Sequence, residues 1–371
     1  MGSSEQLYNR IVDKLERVIP YEDIRHLKNL LWIVVGIVQQ KSVHLSKIAQ
    51  SIPGQTQAGS RVTKIRRWLM NEEIDVWQYY WPMLEQVLRS WKNSDVTVIV
   101  DGVMVFGDRL QIFRLSLAHG CRAIPLIWAV IPGKGLTTMQ ALEPIFEKAA
   151  EFLHSRVGSV TLLADRGFRD CDWADLCLRL AWHYNIRIAD NTIVWLEDGT
   201  ICRIDELKVK AGKPKFYQNV ALTSEGEFET NLSVTWTEDG KELVAIISDK
   251  MANRARLSHY SLRMHIEESF RDDKSSGFDL EHSRLQHAER LERLLLAEAI
   301  AVIWCHELGE QCVKSEDMRR LIDPAWQREL SIFQLGLRWL HRCLATAIHL
   351  LPNFLARLCP IRLKPVVKMA S

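Results

Sequence analysis

No stretch of this 371-residue chain is apolar for long enough to span a bilayer. The longest run, Leu30 to Val38, is nine residues and is interrupted by Gly36, against the roughly 18 to 20 residues a membrane helix needs. No membrane partner is therefore expected. The opening MGSSEQLYNR has neither a basic segment nor an apolar one, which argues against a secretory leader. The eight cysteines (Cys121, Cys171, Cys177, Cys202, Cys305, Cys312, Cys343, Cys359) include no C-x-x-C pair; they read as reduced thiols of a cytosolic protein, not as a zinc site or disulfide framework. Excess charge is also missing: 48 Lys and Arg stand against 46 Asp and Glu, and 47% of residues are apolar. Such a chain can bury a core, which excludes disorder. The sequence shows no internal repeat and no low-complexity tract.

The near-neutral total conceals cationic ends. Residues 1–92 carry 13 basic and 9 acidic side chains, and residues 330–371 carry six Lys or Arg and no acid. Four cations fall within RVTKIRR (Arg61, Lys64, Arg66, Arg67), a density on one short helix that suits contacts with nucleic-acid phosphates.

Residues 5–92 read as helices, over Leu7–Ile19, Ile24–Gln40 and Leu45–Ser51, followed after Pro53-Gly54 by a basic helix with Ser60 as its expected N-cap. From Asp95 the period changes to two: DVTVIVDGVMV, RLQIFRLSLAHG and CRAIPLIWAVIPG predict an antiparallel meander. The PGKG turn at 132–135 lacks the spacing of a phosphate loop. A helix over about 136–154, the strand SVTLLAD (159–165), a helix over about 171–184 and the strand IRIAD (186–190) follow. Periodicity alone gives an α/β protein. Residues 191–250 return to strand composition, with hairpin signals at Asp198-Gly199, Glu225-Gly226 and Asp239-Gly240. From Leu257 the chain is helical again, ending in basic helices.

Two acids interrupt this β-rich core. Asp101 is the only charge in VTVIVDGVMV, and Asp165 closes VTLLAD just before Arg166-Gly167. A carboxylate in or at the end of a buried strand is costly unless compensated, and a divalent cation is one compensation. The segment HYSLRMHIEESFRDDK then places Tyr260, Arg263, Glu267 and Lys274 at offsets 0, 3, 7 and 14. On a helix unbroken through Lys274 these four project within an arc of about 60°, with Glu268 off that face. Carboxylate, guanidinium, phenol and ammonium together suit a metal ion beside a phosphate backbone.

The spacing Y-x2-R-x3-E-x6-K resembles the signature of the YREK group of DDE transposases, the insertion-sequence 4 family. VDGV around Asp101 and ADRGF around Asp165 resemble that family's first and second acid motifs, over roughly residues 40–310. The resemblance implies a ribonuclease-H-like catalytic core with a β-rich insertion, flanked by N-terminal and C-terminal α-helical regions. The expected divisions are a DNA-binding region at 1–92, the first part of the core at 93–190, the insertion at 191–250, the second part of the core at 251–312 and a basic helical region at 313–371. It further implies that Asp101, Asp165 and Glu267 hold two Mg²⁺ or Mn²⁺ ions for in-line displacement at phosphorus. Tyr260, Arg263 and Lys274 would grip the transposon end, with Arg166 a weaker phosphate contact. Double-stranded DNA with terminal inverted repeats, target DNA and a second protomer in a synaptic complex are the implied partners, on the bacterial nucleoid.

One departure stands out. Where family members carry a tryptophan near the end of the insertion, this chain has KELVAIISD with Leu243 and Val244, and Trp236 and Trp195 lie at unmatched spacing. A DNA hairpin intermediate is therefore not implied. A stand-alone metal-dependent nuclease would use the same acids, and an inactive transposase-derived DNA-binding protein would keep the same fold.

Overall fold

The computed structural model describes residues 3–133, 138–168, 171–222, 226–346, 354 and 357–360. Part of the PGKG turn, Glu225 and nearly half of the basic C-terminal stretch lie outside them. Five helices open the chain: α1 (Ser3–Leu15), α2 (Ile24–Gln40), α3 (Leu45–Ser51), α4 (Ala58–Met70) and α5 (Val76–Leu88). Helix α2 starts at Asp23, whose side chain accepts from the Arg25 amide, satisfying one of the free donors of its first turn. The cap expected at Ser60 is displaced: α4 begins already at Ala58, with Gln57 at the N-cap and Ser60 inside the helix.

The meander follows as β1 (Val96–Val105), β2 (Leu110–His119) and β3 (Arg122–Pro132), then α6 (Met139–Leu153), β4 (Val160–Ala164), α7 (Cys171–Arg179) and β5 (His183–Ile188). Helix α7 is shorter than its composition suggests. Ala181 takes a left-handed conformation (φ 56°), which ends the helical path and lets the strand start at His183. The β-rich segment forms β6 (Ile193–Trp195), β7 (Ile201–Arg203), β8 (Lys215–Leu222), β9 (Phe228–Trp236) and β10 (Leu243–Ser248). Gly199 and Gly240 supply the positive φ of two of its turns.

All ten strands form one sheet in the order β3-β2-β1-β4-β5-β10-β9-β8-β6-β7. The meander is antiparallel, β4 and β5 run parallel to β1, and β10 joins antiparallel to β5. Residues 191–250 thus extend the central sheet and are not a detached layer.

The chain then returns over the sheet through α8 (Arg254–Tyr260), a tight 3₁₀ turn at Ser261–Arg263, α9 (Met264–Arg271) and a wider π turn at Asp272–Ser276. Three helices close the described chain: α10 (Ala288–Lys314), α11 (Glu316–Arg320) and α12 (Ile332–Thr346). Helix α10 is buried along nearly its whole length, as expected of a helix packed on every side; it contacts β3, α2, α4, α5 and α12. Gly309 and Gly336 let α10 and α12 approach backbone to backbone, since a Cβ at Gly336 would lie 1.7 Å from the Cys305 carbonyl oxygen. Among the described residues no helix is long and apolar enough to cross a membrane.

Candidate active site

The site is built on the parallel pair β1 and β4. Their register places Ile99 opposite Leu163; two residues further along each chain come Asp101 and Asp165. Side chains two apart share a face of a strand, so Asp101 faces the side on which Ile99 and Leu163 pack with Leu262, Ile266 and Phe270 of the returning helices. Asp165, one residue past β4, is near enough to act on Asp101 electrostatically. The apolar contacts thus dock α9 on the sheet, and the two acids lie just past them.

Glu267 comes to the same place through Arg263. Its Nη1 donates to Asp101 Oδ2 at 3.1 Å, and its Nη2 donates to Glu267 Oε1 one helical turn on. The guanidinium is 14% exposed, against 19% for Asp101 and 38% for Glu267. Burial drives the Asp101 carboxyl up to about 6, Arg263 opposes this, and Asp165 and Glu267 add to the rise. That ranking is what a crowded acid site produces. Asp165 accepts from the Gly167 amide at 2.8 Å.

The remaining members of the four-residue signature flank this group, and Tyr260 is near enough to interact electrostatically with Arg263, Asp165 and Asp101. Lys274 donates to the Met104 carbonyl at 2.8 Å and lies 3.7 Å from Glu281, so it touches β1 three residues beyond Asp101. Tyr260 is 7% exposed and packs with Val244, Ile246 and Leu257; burial raises its phenol well above the ordinary range. The expected single face assumed uniform helical pitch. The 3₁₀ turn brings Tyr260 and Arg263, three residues apart, into line, and the π turn underwinds the chain before Lys274, so the uniform pitch is lost ahead of Lys274.

Arg166 is 67% exposed and lies 3.3 Å from Glu242, which also pairs with Arg187 at 2.6 Å. Arg187, which also acts electrostatically on Tyr260, was not singled out from the sequence. A lone cation in the strand IRIAD was the available signal, the mirror of the lone acid in β1.

The basic helix α4 divides its cations. Arg61 is half-buried and donates to the Ile52 carbonyl at 2.6 Å, fastening α4 to the end of α3. Lys64 and Arg67 line an open groove of about 780 Å³ with His26, Gln57 and Thr63. Arg66 lines a second groove, about 500 Å³, formed with the segment 282–290. There it joins Arg284, Arg290, His44, His282 and His287, with no carboxylate among the lining residues. Asp279, just outside, pairs with His282. A backbone bond from the Val43 amide to the Phe278 carbonyl joins the two walls.

Carboxylate oxygens on three elements are suitable donors for a hard divalent cation. Among the described residues, however, no three acids, imidazoles or thiols lie close enough to hold a metal ion together. The reason is visible in the contacts: the Arg263 guanidinium fills the space between Asp101 and Glu267 and supplies the positive charge there.

Residues 132–304 match the family model of the transposase DDE domain. The match supports a transposase of the DDE type. It runs from the end of β3 into α10 and contains Asp165, Tyr260, Arg263, Glu267 and Lys274, while Asp101 precedes it. Among solved structures the chain is similar to one described as a piggyBac transposase synaptic complex with hairpin DNA, at 12% identity and a TM-score of 0.44, covering 94% of this chain and 83% of that one. The comparison with curated proteins gave no match.

The two indoles of the β-rich segment are held within the sheet. Trp236 stands opposite Leu243 in the β9–β10 ladder, and its Nε1 donates to the Val209 carbonyl at 2.8 Å. Trp195 packs beside Gly226.

Proposed function

We propose that this protein is a DNA transposase of the YREK type, cutting at the ends of an insertion sequence and joining them to target DNA. The observation that carries this reading is the meeting of Asp101 and Glu267 on one guanidinium, with Asp165, just past β4, close enough to act electrostatically on Asp101. The strand order β3-β2-β1-β4-β5, antiparallel then parallel, supports a ribonuclease-H-like core. Residues 93–190 and 251–312 would supply that core, 191–250 its insertion, 1–92 a DNA-binding region and 313–371 a basic helical one.

Asp101, Asp165 and Glu267 would hold two Mg²⁺ or Mn²⁺ ions. Bound there, such ions would lower the pKa of an attacking hydroxyl or water and stabilise the oxygen that leaves phosphorus. The chain's own groups do the rest. Arg263 is placed to exchange its carboxylate partners for a phosphate, because its planar fork binds either pairwise. Lys274, anchored on β1, adds a cation at the rim. The buried Tyr260 phenol fixes the helix that carries Arg263 against β10. Arg166 lies open at the mouth, tied to Glu242, where backbone phosphates would arrive.

The two grooves flanking α4 would carry the DNA backbone, Lys64 and Arg67 on one side and Arg66, Arg284 and Arg290 on the other. Two protomers would synapse two ends.

The test is to incubate the protein with Mg²⁺ and duplexes bearing the inverted repeats of its own element. Cleaved ends that become joined to target DNA support the transposase. Cutting without joining makes the protein a nuclease, and end binding without cutting makes it a DNA-binding derivative. Asp101→Ala, Asp165→Ala and Glu267→Ala should each abolish cleavage and leave end binding largely intact.

A further inference from the structure

Beside the catalytic elements lies a buried polar cluster that the proposed chemistry does not use. Arg114 on β2 is the cross-strand neighbour of Asp101 and is 4% exposed. Its Nη1 donates to Asp273 Oδ2 at 2.7 Å, and its guanidinium lies 4.4 Å over the Phe270 ring. Asp273 belongs to the π turn, next to Lys274. A second clamp runs parallel: Arg122 Nε donates to Asp272 at 2.6 Å, and the Ala123 amide donates to Ser269 Oγ at 2.7 Å. The β2–β3 hairpin therefore grips α9 and its π turn at consecutive aspartates.

The Arg114 clamp is incomplete as a pair. Its Nε and Nη2 are buried with no partner among the described residues, and so are both carboxyl oxygens of Glu298 on α10 and the Trp128 Nε1 on β3. Arg114, Trp128 and Glu298 all line one small cavity of about 10 Å³ between buried residues, with Pro125, Leu295, Ala299 and Val302. That volume is about one water molecule's worth, and a buried water makes about three hydrogen bonds to such groups. Orphaned donors facing orphaned acceptors across a space of that size are the condition under which a bridging water is retained.

We propose that Glu298 is a positioning residue for the catalytic helix, joined to Arg114 through one buried water, so that α10, β2 and the π turn form one hydrogen-bonded unit behind Asp101 and Glu267. The charges fit this arrangement. Asp273 already neutralises Arg114, and the groups facing Glu298 are Arg114 from β2, Asp273 from the π turn and the uncharged Trp128 from β3. A second carboxylate would leave the cluster with an uncompensated buried charge, which is costly. Burial, reinforced by Asp273, accordingly holds the Glu298 carboxyl well above its ordinary value of 4.5. As an acid it can both donate and accept, as the water bridge requires.

The proposal rests on the proposed active site only for its consequence, so its test is read on the intact protein without DNA. Hydrogen exchange is followed over residues 264–276 in wild type, Glu298→Gln and Glu298→Leu, together with melting temperature between pH 6 and 9. Glu298→Gln keeps a donor and an acceptor and should leave exchange unchanged. It should also flatten the pH response: wild type holds a proton here that its unfolded chain releases above about pH 4.5, so wild-type stability falls as pH rises. Glu298→Leu strands the guanidinium and should speed exchange in 264–276 about tenfold while leaving β6–β9 unaffected. Unchanged exchange in Glu298→Leu, or a Glu298→Gln pH slope equal to wild type, would overturn the proposal. If the exchange results hold but no variant or wild type cleaves DNA, the positioning cluster stands and the transposase reading fails.

Discussion

Replacing Arg263 with alanine should make the DNA-free protein bind Mn²⁺ more tightly while destroying its catalysis. The guanidinium now lies between Asp101 and Glu267, donating to both, so a divalent ion can reach the pair of acids only when Arg263 swings aside. Two charge-assisted hydrogen bonds contribute about 1.5 to 3 kcal/mol each. Much of that is regained when the freed guanidinium meets water, leaving a net opening cost of about 1.4 to 3 kcal/mol, or roughly ten- to hundredfold in affinity. Arg263→Ala removes that cost. It also leaves Asp101 and Glu267 without their cation, so the metal-free variant should be less stable by about 2 to 3 kcal/mol, somewhat under the loss for a fully buried pair because Asp101 keeps some solvent. Added Mn²⁺ should restore most of that loss. Isothermal titration with Mn²⁺ and thermal unfolding with and without the ion measure both effects. An Arg263→Ala variant that binds Mn²⁺ no better than wild type would refute the view that guanidinium and metal compete for one place.

Three other outcomes follow from the contacts. Arg284 has φ 56°, a conformation that glycine adopts without strain, so Arg284→Gly should preserve or raise the melting temperature while lowering end-DNA affinity. Its log-log salt slope should be shallower by about 0.9 for one lost phosphate contact, and an unchanged slope would remove the second groove from the DNA path. His259 is held neutral between Thr97 Oγ1 and Asn185 Nδ2, with burial pushing its imidazole down to about 4. Since the unfolded histidine protonates near 6.5, stability should be lost as pH falls from about 6.5 to 4, by up to roughly 3 kcal/mol; His259→Gln should blunt this acid limb in pH-resolved melting. Finally, a Cβ at Gly309 would lie 1.9 Å from the Ile332 carbonyl oxygen, so Gly309→Ala should cost about 3 kcal/mol or more in denaturant unfolding by forcing α10 from α12.

What local sequence could reveal followed the range of the interactions involved. The three meander strands and α2 were legible because alternation and apolar periodicity are properties of neighbouring residues. Asp101 and Asp165 stood out as acids where the strand pattern called for apolar groups, and the i, i+4 relation of Arg263 and Glu267 needed one turn of helix only. Register between β1 and β4 was not legible, since it is set by packing of Ile99 and Leu163 under α9. Nor was the changing pitch along 260–274, which depends on clamps such as Arg114 to Asp273, 159 residues apart in sequence. The four cations of RVTKIRR illustrate the same limit: their proximity in sequence is real, yet α4 turns Lys64 and Arg67 one way and Arg66 the other, and Arg61 is taken up by a backbone carbonyl.

The pairing of β5 with β10 has a consequence for how such a chain can change over generations. Ile188 sits opposite Ala245, so the polypeptide leaves the central strands and re-enters them at adjacent positions, about 4.8 Å apart as neighbouring strands are. Everything from 189 to 242 is, to the three candidate acids, a single closed excursion. Lengthening it costs only the slowly growing entropy of a longer loop, about 0.6 kcal/mol per doubling, and moves neither Asp165 before it nor Glu267 after it. Sequences that add or strip strands at this point would keep the same acid geometry while presenting a different outer surface, so what that surface binds can diversify without moving the acids.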